Sequence, residues 1–273
     1  MEMRNNRIMQ EESAQPPVDE TAFKPEGQDP RDERPQYVMP LVVRLERDAP
    51  PQRTDALETA ARAVLTLLAD PRSQQQGRMG EAAAELELES ADEADDEAEL
   101  AEGEWAAAVL AWQDGRIRKV VRRARGAEWR RAEALPGITV TGRGAEVRVY
   151  PPVPLDGWPK DLVRLQVSGT DFGDDEPPAA PEPGVPVIWL NPDVQMTAGK
   201  SMAQAGHAAQ LGWWRLDPTR AAKWAADGFP LAVRTATPEQ WARLVDADLP
   251  MVRDAGFTEI APGSATAIAE LER

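Results

Sequence analysis

The sequence has 273 residues, 31 Lys plus Arg against 47 Asp plus Glu, one His and no Cys, for a formal net charge of −16. That length allows two domains or one large one. The missing cysteine excludes a disulfide scaffold, a thiolate metal site and a cysteine nucleophile, and the lone His207 excludes a multi-histidine metal site. A Ser-His-Asp hydrolase stays open only with His207 as its base.

Residues 1–36 are polar and Pro-containing, with no apolar period, and read as a disordered tail; no apolar stretch backs the charges of MEMRNNRIMQEE, so no secretory signal is expected. Residues 38–45 (VMPLVVRL) form a short β-branched run expected to be a buried strand. After Pro50-Pro51, Thr54 is a candidate N-cap for a helix over 55–68, whose apolar face carries Ala60, Ala61, Val64, Leu65, Leu67 and Leu68. Residues 81–104 then hold 12 carboxylates and no base, a solvated, self-repelling tract or a mimic of nucleic-acid charge.

The longest apolar run, 105–112, has eight residues, far short of the roughly 20 of a membrane helix. It opens a second ordered stretch, with strands expected near 120–121, 138–140 and 146–150 and a helix around 127–135. Within it, 105–172 carries 12 bases and 7 acids, so the acidic whole does not exclude an anionic ligand: potential at a site is local. Residues 116–131 (RIRKVVRRARGAEWRR) are either a charged surface around two short elements or a phosphate-contacting patch built on Arg122, Arg123 and Arg125.

Residues 173–185 read as a Pro/acidic linker. Beyond it, strands are expected at 187–190, 231–234, 251–253 and 267–269, and helices at 198–214, 218–226 and 238–246. Strands alternate with helices in both halves, which predicts an α/β fold. A shift of 145 residues places Val42, Leu45, Asp48, Ala60 and Ala63 on Val187, Leu190, Asp193, Ala205 and Ala208; a shift of 112 places Trp112, Arg122, Trp129 and Arg131 on Trp224, Arg234, Trp241 and Arg243. The first half therefore reads as a diverged copy of the second, with an acidic insert at 72–104.

Two strings carry chemistry. In Gly199-Lys200…Gln204…His207-Ala208 the helix over 198–214 opens behind Thr197, a candidate N-cap, and Lys200, Gln204 and His207 fall at i, i+4 and i+7 on one face. Lysine in the first turn opposes the helix dipole by a few tenths of a kcal/mol, which points to a use other than helix stability. Alone, the same spacing also fits a surface lysine, a solvated glutamine and a packed core histidine. The second string, Asp254-Ala255-Gly256-Phe257-Thr258-Glu259-Ile260-Ala261-Pro262-Gly263-Ser264, is a strand end, a turn and a return, with Asp254 and Thr258 flanking the turn.

Together, in this chain order, the two strings resemble the type 2 peptidyl-tRNA hydrolase family over residues of about 186–273. The resemblance implies a small α/β/α layered fold around a four-stranded mixed sheet. It also implies hydrolysis, without metal or cofactor, of the ester joining a nascent peptide to tRNA. It places the catalytic residues at Lys200, Gln204, Asp254 and Thr258, with His207 beside them; for a tRNA substrate the basic patch of Arg122, Arg123 and Arg125, together with Arg253, is then the expected tRNA contact. In such a site a lysine ammonium or glutamine amide stabilises the oxyanion while Asp254 orients or deprotonates water and Thr258 holds one of them. Family members commonly have a second lysine where this chain has Ala198, which would weaken phosphate binding, and continue further after the last strand.

The resulting expectation is two α/β/α layered domains, each around a small mixed four-stranded sheet, as a tandem pseudo-dimer or a homodimer. The expected domains are a degenerate one at 37–172, the linker at 173–185 and a hydrolase-like one at 186–273. A catalytically silent tRNA- or ribosome-binding protein of the same fold and an interaction module driven by the acidic tract are the alternatives. The expected setting is the cytoplasm, with a peptidyl-tRNA substrate and no membrane partner.

Overall fold

In the computed structural model, residues 30–74, 103–254 and 260–271 are described. The first half runs β1 (Tyr37–Arg44), α1 (Arg53–Ala69), α2 (Ala106–Asp114), β2 (Lys119–Ala124), α3 (Gly126–Glu133), β3 (Ile138–Thr141), β4 (Glu146–Val149), β5 (Val153–Pro154) and α4 (Lys160–Val163). The second runs β6 (Val187–Leu190), α5 (Ala198–Arg215), α6 (Pro218–Ala226), β7 (Ala232–Thr235), α7 (Pro238–Asp246), β8 (Met251–Arg253) and β9 (Ala265–Glu270).

The two mixed sheets share one plan. The first is ordered β2-β1-β4-β3 and the second β7-β6-β9-β8, each with one parallel pair and two antiparallel ones. The first sheet carries a fifth, two-residue strand, since β5 pairs with the start of β1. The shifts of 145 and 112 would set Val187 beside Arg234, as Val42 lies beside Arg122; instead Val187 pairs with Ala232. An offset of two residues keeps every side chain on its own face.

Period-two alternation decides the layers. Met39, Leu41 and Val43 of β1 face the same core as Ile188 and Leu190 of β6, and α1 and α5 lie in that core. Val42 points the other way, onto Trp129, Tyr150 and Leu162, so α3 and α4 cover the outer face of the first sheet. Val187 and Trp189 point onto Trp241 and Leu244, so α7 covers the second. The helices α1 and α5 therefore form one shared layer between two sheets. Their close crossing depends on Gly206, where a Cβ would come within 2.9 Å of a Val64 methyl.

Polar contacts add to this join. Glu58 on α1 accepts from Arg234 Nη1 at 2.6 Å and from the Val233 amide at 3.3 Å, both of β7. The Arg53 guanidinium donates to Ser201 Oγ of α5 at 2.7 Å.

The start of α1 departs from expectation. The helix begins at Arg53, and its N-cap, Gln52, makes no side-chain capping bond to it. Thr54 is not the cap: its amide and hydroxyl both donate to Asp174, at 2.8 and 2.7 Å. The segment read as a linker thus supplies the carboxylate that satisfies the helix terminus. Further along, Ala179 O accepts from Arg234 Nε, so this segment touches both halves. The acidic residues 81–102 and the tail 1–29 lie outside the described residues. Among the described residues, no helix is long and apolar enough to cross a membrane.

Candidate active site

Helix α5 starts where the sequence places it, with Thr197 Oγ1 accepting from the Lys200 amide at 3.3 Å. Gly199 faces Thr170, which comes so near that a Cβ would sit 2.4 Å from its hydroxyl oxygen. A segment of the first half thereby closes over the first turn of α5. From that turn Lys200 reaches the strand end opposite, and its ammonium lies 2.5 Å from Asp254 Oδ2. One turn on, Gln204 Nε2 donates to the same oxygen at 2.9 Å.

Asp254 follows directly on β8, and its backbone is fixed by paired bonds with the returning chain: its amide donates to Ser264 O at 2.9 Å and its carbonyl accepts from Gly263 N at 2.7 Å. Its side chain is 5% exposed and that of Lys200 16%. A carboxylate so enclosed requires charged and polar partners, and Lys200 and Gln204 are those partners. Thr258 lies outside the described residues.

The orientation of Gln204 is set by a residue that sequence reasoning missed. Thr266 of β9 is fully buried and donates its hydroxyl to Gln204 Oε1 at 2.9 Å. That bond commits the amide oxygen and turns Nε2 toward Asp254. Alternation along β9 would have misplaced it, since Ile268, two residues on, packs against Trp241 while Ala267 and Ala269 face α5; the pairing of β8 with β9 is irregular beside Thr266, between Val252 and Arg253.

These groups open into a cleft of about 560 Å³, lined by Lys200, Gln204, Asp254 and Arg253 from the second half and by Arg118 and Lys119 from the first. His207 also lines it, but makes no contact with Asp254. Its Nδ1 lies 3.1 Å from the Nζ of Lys119, which donates as well to Gln210 Oε1. Burial, reinforced by the charges of Lys119 and Lys200, holds the imidazole well below its ordinary pKa. His207 is therefore both the packed histidine and the cleft residue that its spacing allowed. Lys119 went unnoticed because it stands within a basic run.

The proposed tRNA contacts separate. Arg253 lines the cleft and donates to Gly263 O at 3.3 Å. Arg122 donates to the carbonyls of Val163 and Leu165 and stacks 4.5 Å from the Trp158 ring centroid. Arg123 holds Ser168 O and the Gln166 side chain. Both guanidinium groups fasten the 163–168 segment along β2. Arg125 stands apart from the cleft, in a shallow depression beside Glu46 and Asp48.

The same corner of the first half is built differently. There Asp55 occupies the first turns of α1, and its carboxylate accepts from the amides of Arg143, Gly144 and Ala145 at 3.0, 2.7 and 2.8 Å. The residue directly after β3 is Gly142, as Asp254 directly follows β8; a Cβ there would lie 2.3 Å from both Asp55 Oδ1 and Thr59 Oγ1. Thus Gly142 holds the topological place of Asp254. A helix-borne carboxylate fastened to turn amides takes the place of a helix-borne ammonium fastened to a carboxylate.

No curated protein matches this chain. Residues 185–270 match the model of the family described as Peptidyl-tRNA hydrolase PTH2. That stretch runs from just before β6 to the last residue of β9 and takes in Lys200, Gln204, Asp254 and Thr266, so the match spans the second sheet with its helices.

Proposed function

We propose that the chain hydrolyses the ester between a peptide, or an N-blocked amino acid, and tRNA, with Lys200, Gln204 and Asp254 as its working groups. The observation that carries this reading is their convergence on one carboxylate oxygen in a cleft within the stretch that matches the family. Asp254 orients a water and takes its proton as the water attacks the ester carbonyl carbon. The Lys200 ammonium stabilises the oxyanion that develops. Gln204, turned by Thr266, fixes the carboxylate. The ribose oxygen then leaves with a proton and the tRNA is freed. Thr258 belongs to this site by resemblance, and the chemistry is read as independent of metal. A tRNA substrate supports a cytoplasmic setting.

We read residues 37–172 as a diverged copy of the hydrolase domain at 186–273, making a pseudo-dimer within one chain. The shared strand order supports this, as do the corresponding places of Asp55 and Lys200. Since Asp55, Thr59 and Gly142 stand there in the places of Lys200, Gln204 and Asp254, only one site is active.

The test is release of N-acetyl-aminoacyl groups from tRNA with chelator present, beside Lys200→Ala and Asp254→Asn. Turnover that survives the chelator and falls a hundredfold or more in each variant is expected. An unmodified protein that binds tRNA without turnover would instead identify a silent binding protein.

A further inference from the structure

Among the described residues, Lys119 is the one lysine that the first half buries at the wall of the cleft. It is 8% exposed as a residue, and three partners surround its Nζ: Gln210 Oε1, His207 Nδ1 at 3.1 Å, and the face of Trp112, whose ring centroid is 4.8 Å away. An ammonium has three N–H donors and no acceptor. Two acceptors and a π-face are the complement of such a group. Trp112 is itself fixed, fully buried and donating Nε1 to Arg118 O at 2.8 Å. Among the described residues, this cluster has no part in the contacts of Asp254.

We propose that Lys119, reaching from the first half, is a positioning residue that donates to His207 Nδ1 and so fixes the imidazole as its Nε2–H tautomer, a hydrogen-bond donor for substrate in the cleft. This rests on the hydrolase reading for its substrate, but not for its geometry. A neutral imidazole has one N–H; with Nδ1 committed as acceptor, the proton resides on Nε2. Burial keeps the ring neutral and lowers the Lys119 amine as well; charged or neutral, that amine carries the N–H that Nδ1 accepts. The other charged groups lining the same cleft are Lys200 on α5, Arg253 and Asp254 at β8, Arg116 and Arg118 ahead of β2, and Arg31 ahead of β1. Every cation among them further disfavours an imidazolium. The first half then has a function beyond packing: it sets the donor pattern of a group in the other half.

Because His207 is the sole histidine, ¹⁵N-histidine labelling of the whole chain reports one ring. The expected spectrum shows a pyridine-type Nδ1 and a pyrrole-type Nε2, unchanged from pH 5.5 to 8. Lys119→Met should give mixed tautomers, and kcat for acyl-tRNA hydrolysis should fall about tenfold or more. The double variant Lys119→Met/His207→Gln should be no slower than His207→Gln alone, since both act through one ring. A pyrrole-type Nδ1 in the unmodified protein overturns the proposal, whether or not Lys119→Met folds. So does a tautomer indifferent to Lys119→Met, or additive losses in the double variant. The expected spectrum in a protein without hydrolysis would refute the proposed activity and leave the role of Lys119 toward the ring standing.

Discussion

Replacing Asp55 with alanine removes the acceptor of three backbone amides at the β3–β4 turn. The Ala145 amide is buried and finds no water, so losing a hydrogen bond to a charged group there costs about 2 kcal/mol. The amides of Arg143 and Gly144 belong to exposed residues that water can reach, and each loses about 0.5 kcal/mol. Together Asp55→Ala should cost about 3 kcal/mol, a fall in Tm of roughly 6–12 °C for a chain of this size. Asp55→Asn keeps one acceptor oxygen and should lose about half as much. Urea unfolding followed by tryptophan fluorescence measures both. A loss below about 1 kcal/mol for Asp55→Ala would refute the view that this carboxylate fastens the turn. Gly142→Ala provides a cross-check: its Cβ would displace the same carboxylate, so in combination with Asp55→Ala it should cost less than it does alone, the remaining loss coming from its clash with Thr59 Oγ1.

Glu58→Ala strips α1 of its bond to a guanidinium that is mostly buried between the halves, and should cost about 3 kcal/mol in the same urea assay. Stability should also depend on His207. The unfolded chain takes up a proton near pH 6.5 that the folded chain refuses, so folding weakens as the pH drops below about 6.5. His207→Gln should flatten that slope between pH 5.5 and 6.5, as measured by urea midpoints. Arg253→Ala, at the cleft, should weaken tRNA binding and reduce its salt slope by about one, measured by binding titrations at several salt concentrations. Arg122→Ala should leave the slope intact and lower the Tm instead, since its guanidinium holds the carbonyls of Val163 and Leu165.

Much of the architecture was legible because its signals are local. The β-branched run of β1 and the alanine-rich faces of α1 and α5 state their own periods, and β6 and α7 fall where patterning places them. The unforeseen β5 and α4 have two and four residues, too few for any period to show. Thr54 misled because a threonine ahead of a helix resembles a cap. The true partner, Asp174, stands 120 residues away in a segment whose composition suggests only a spacer. At the site, Lys200, Gln204 and Asp254 could be picked out because their motifs are contiguous. Lys119 could not, since what distinguishes it from Arg122 and Arg123 is the helix against which β2 is laid. Even so, it shares its face of β2 with the buried Val121, and strand alternation alone would have turned it inward.

The strand β2 and the helix α5 are parts of one polypeptide, and that has a consequence at low abundance. Where a cleft is walled by two separate chains, dilution strips one wall from the other and the site loses its donors. Here the tether holds Lys119 beside His207 at an effective concentration of the order of millimolar or above, whatever the number of molecules in solution. Being joined also frees the halves from being alike. In two identical chains, any residue at one helix start is repeated at the other. In this chain one start holds Asp55, which stiffens a turn, and the other holds Lys200, which faces the cleft.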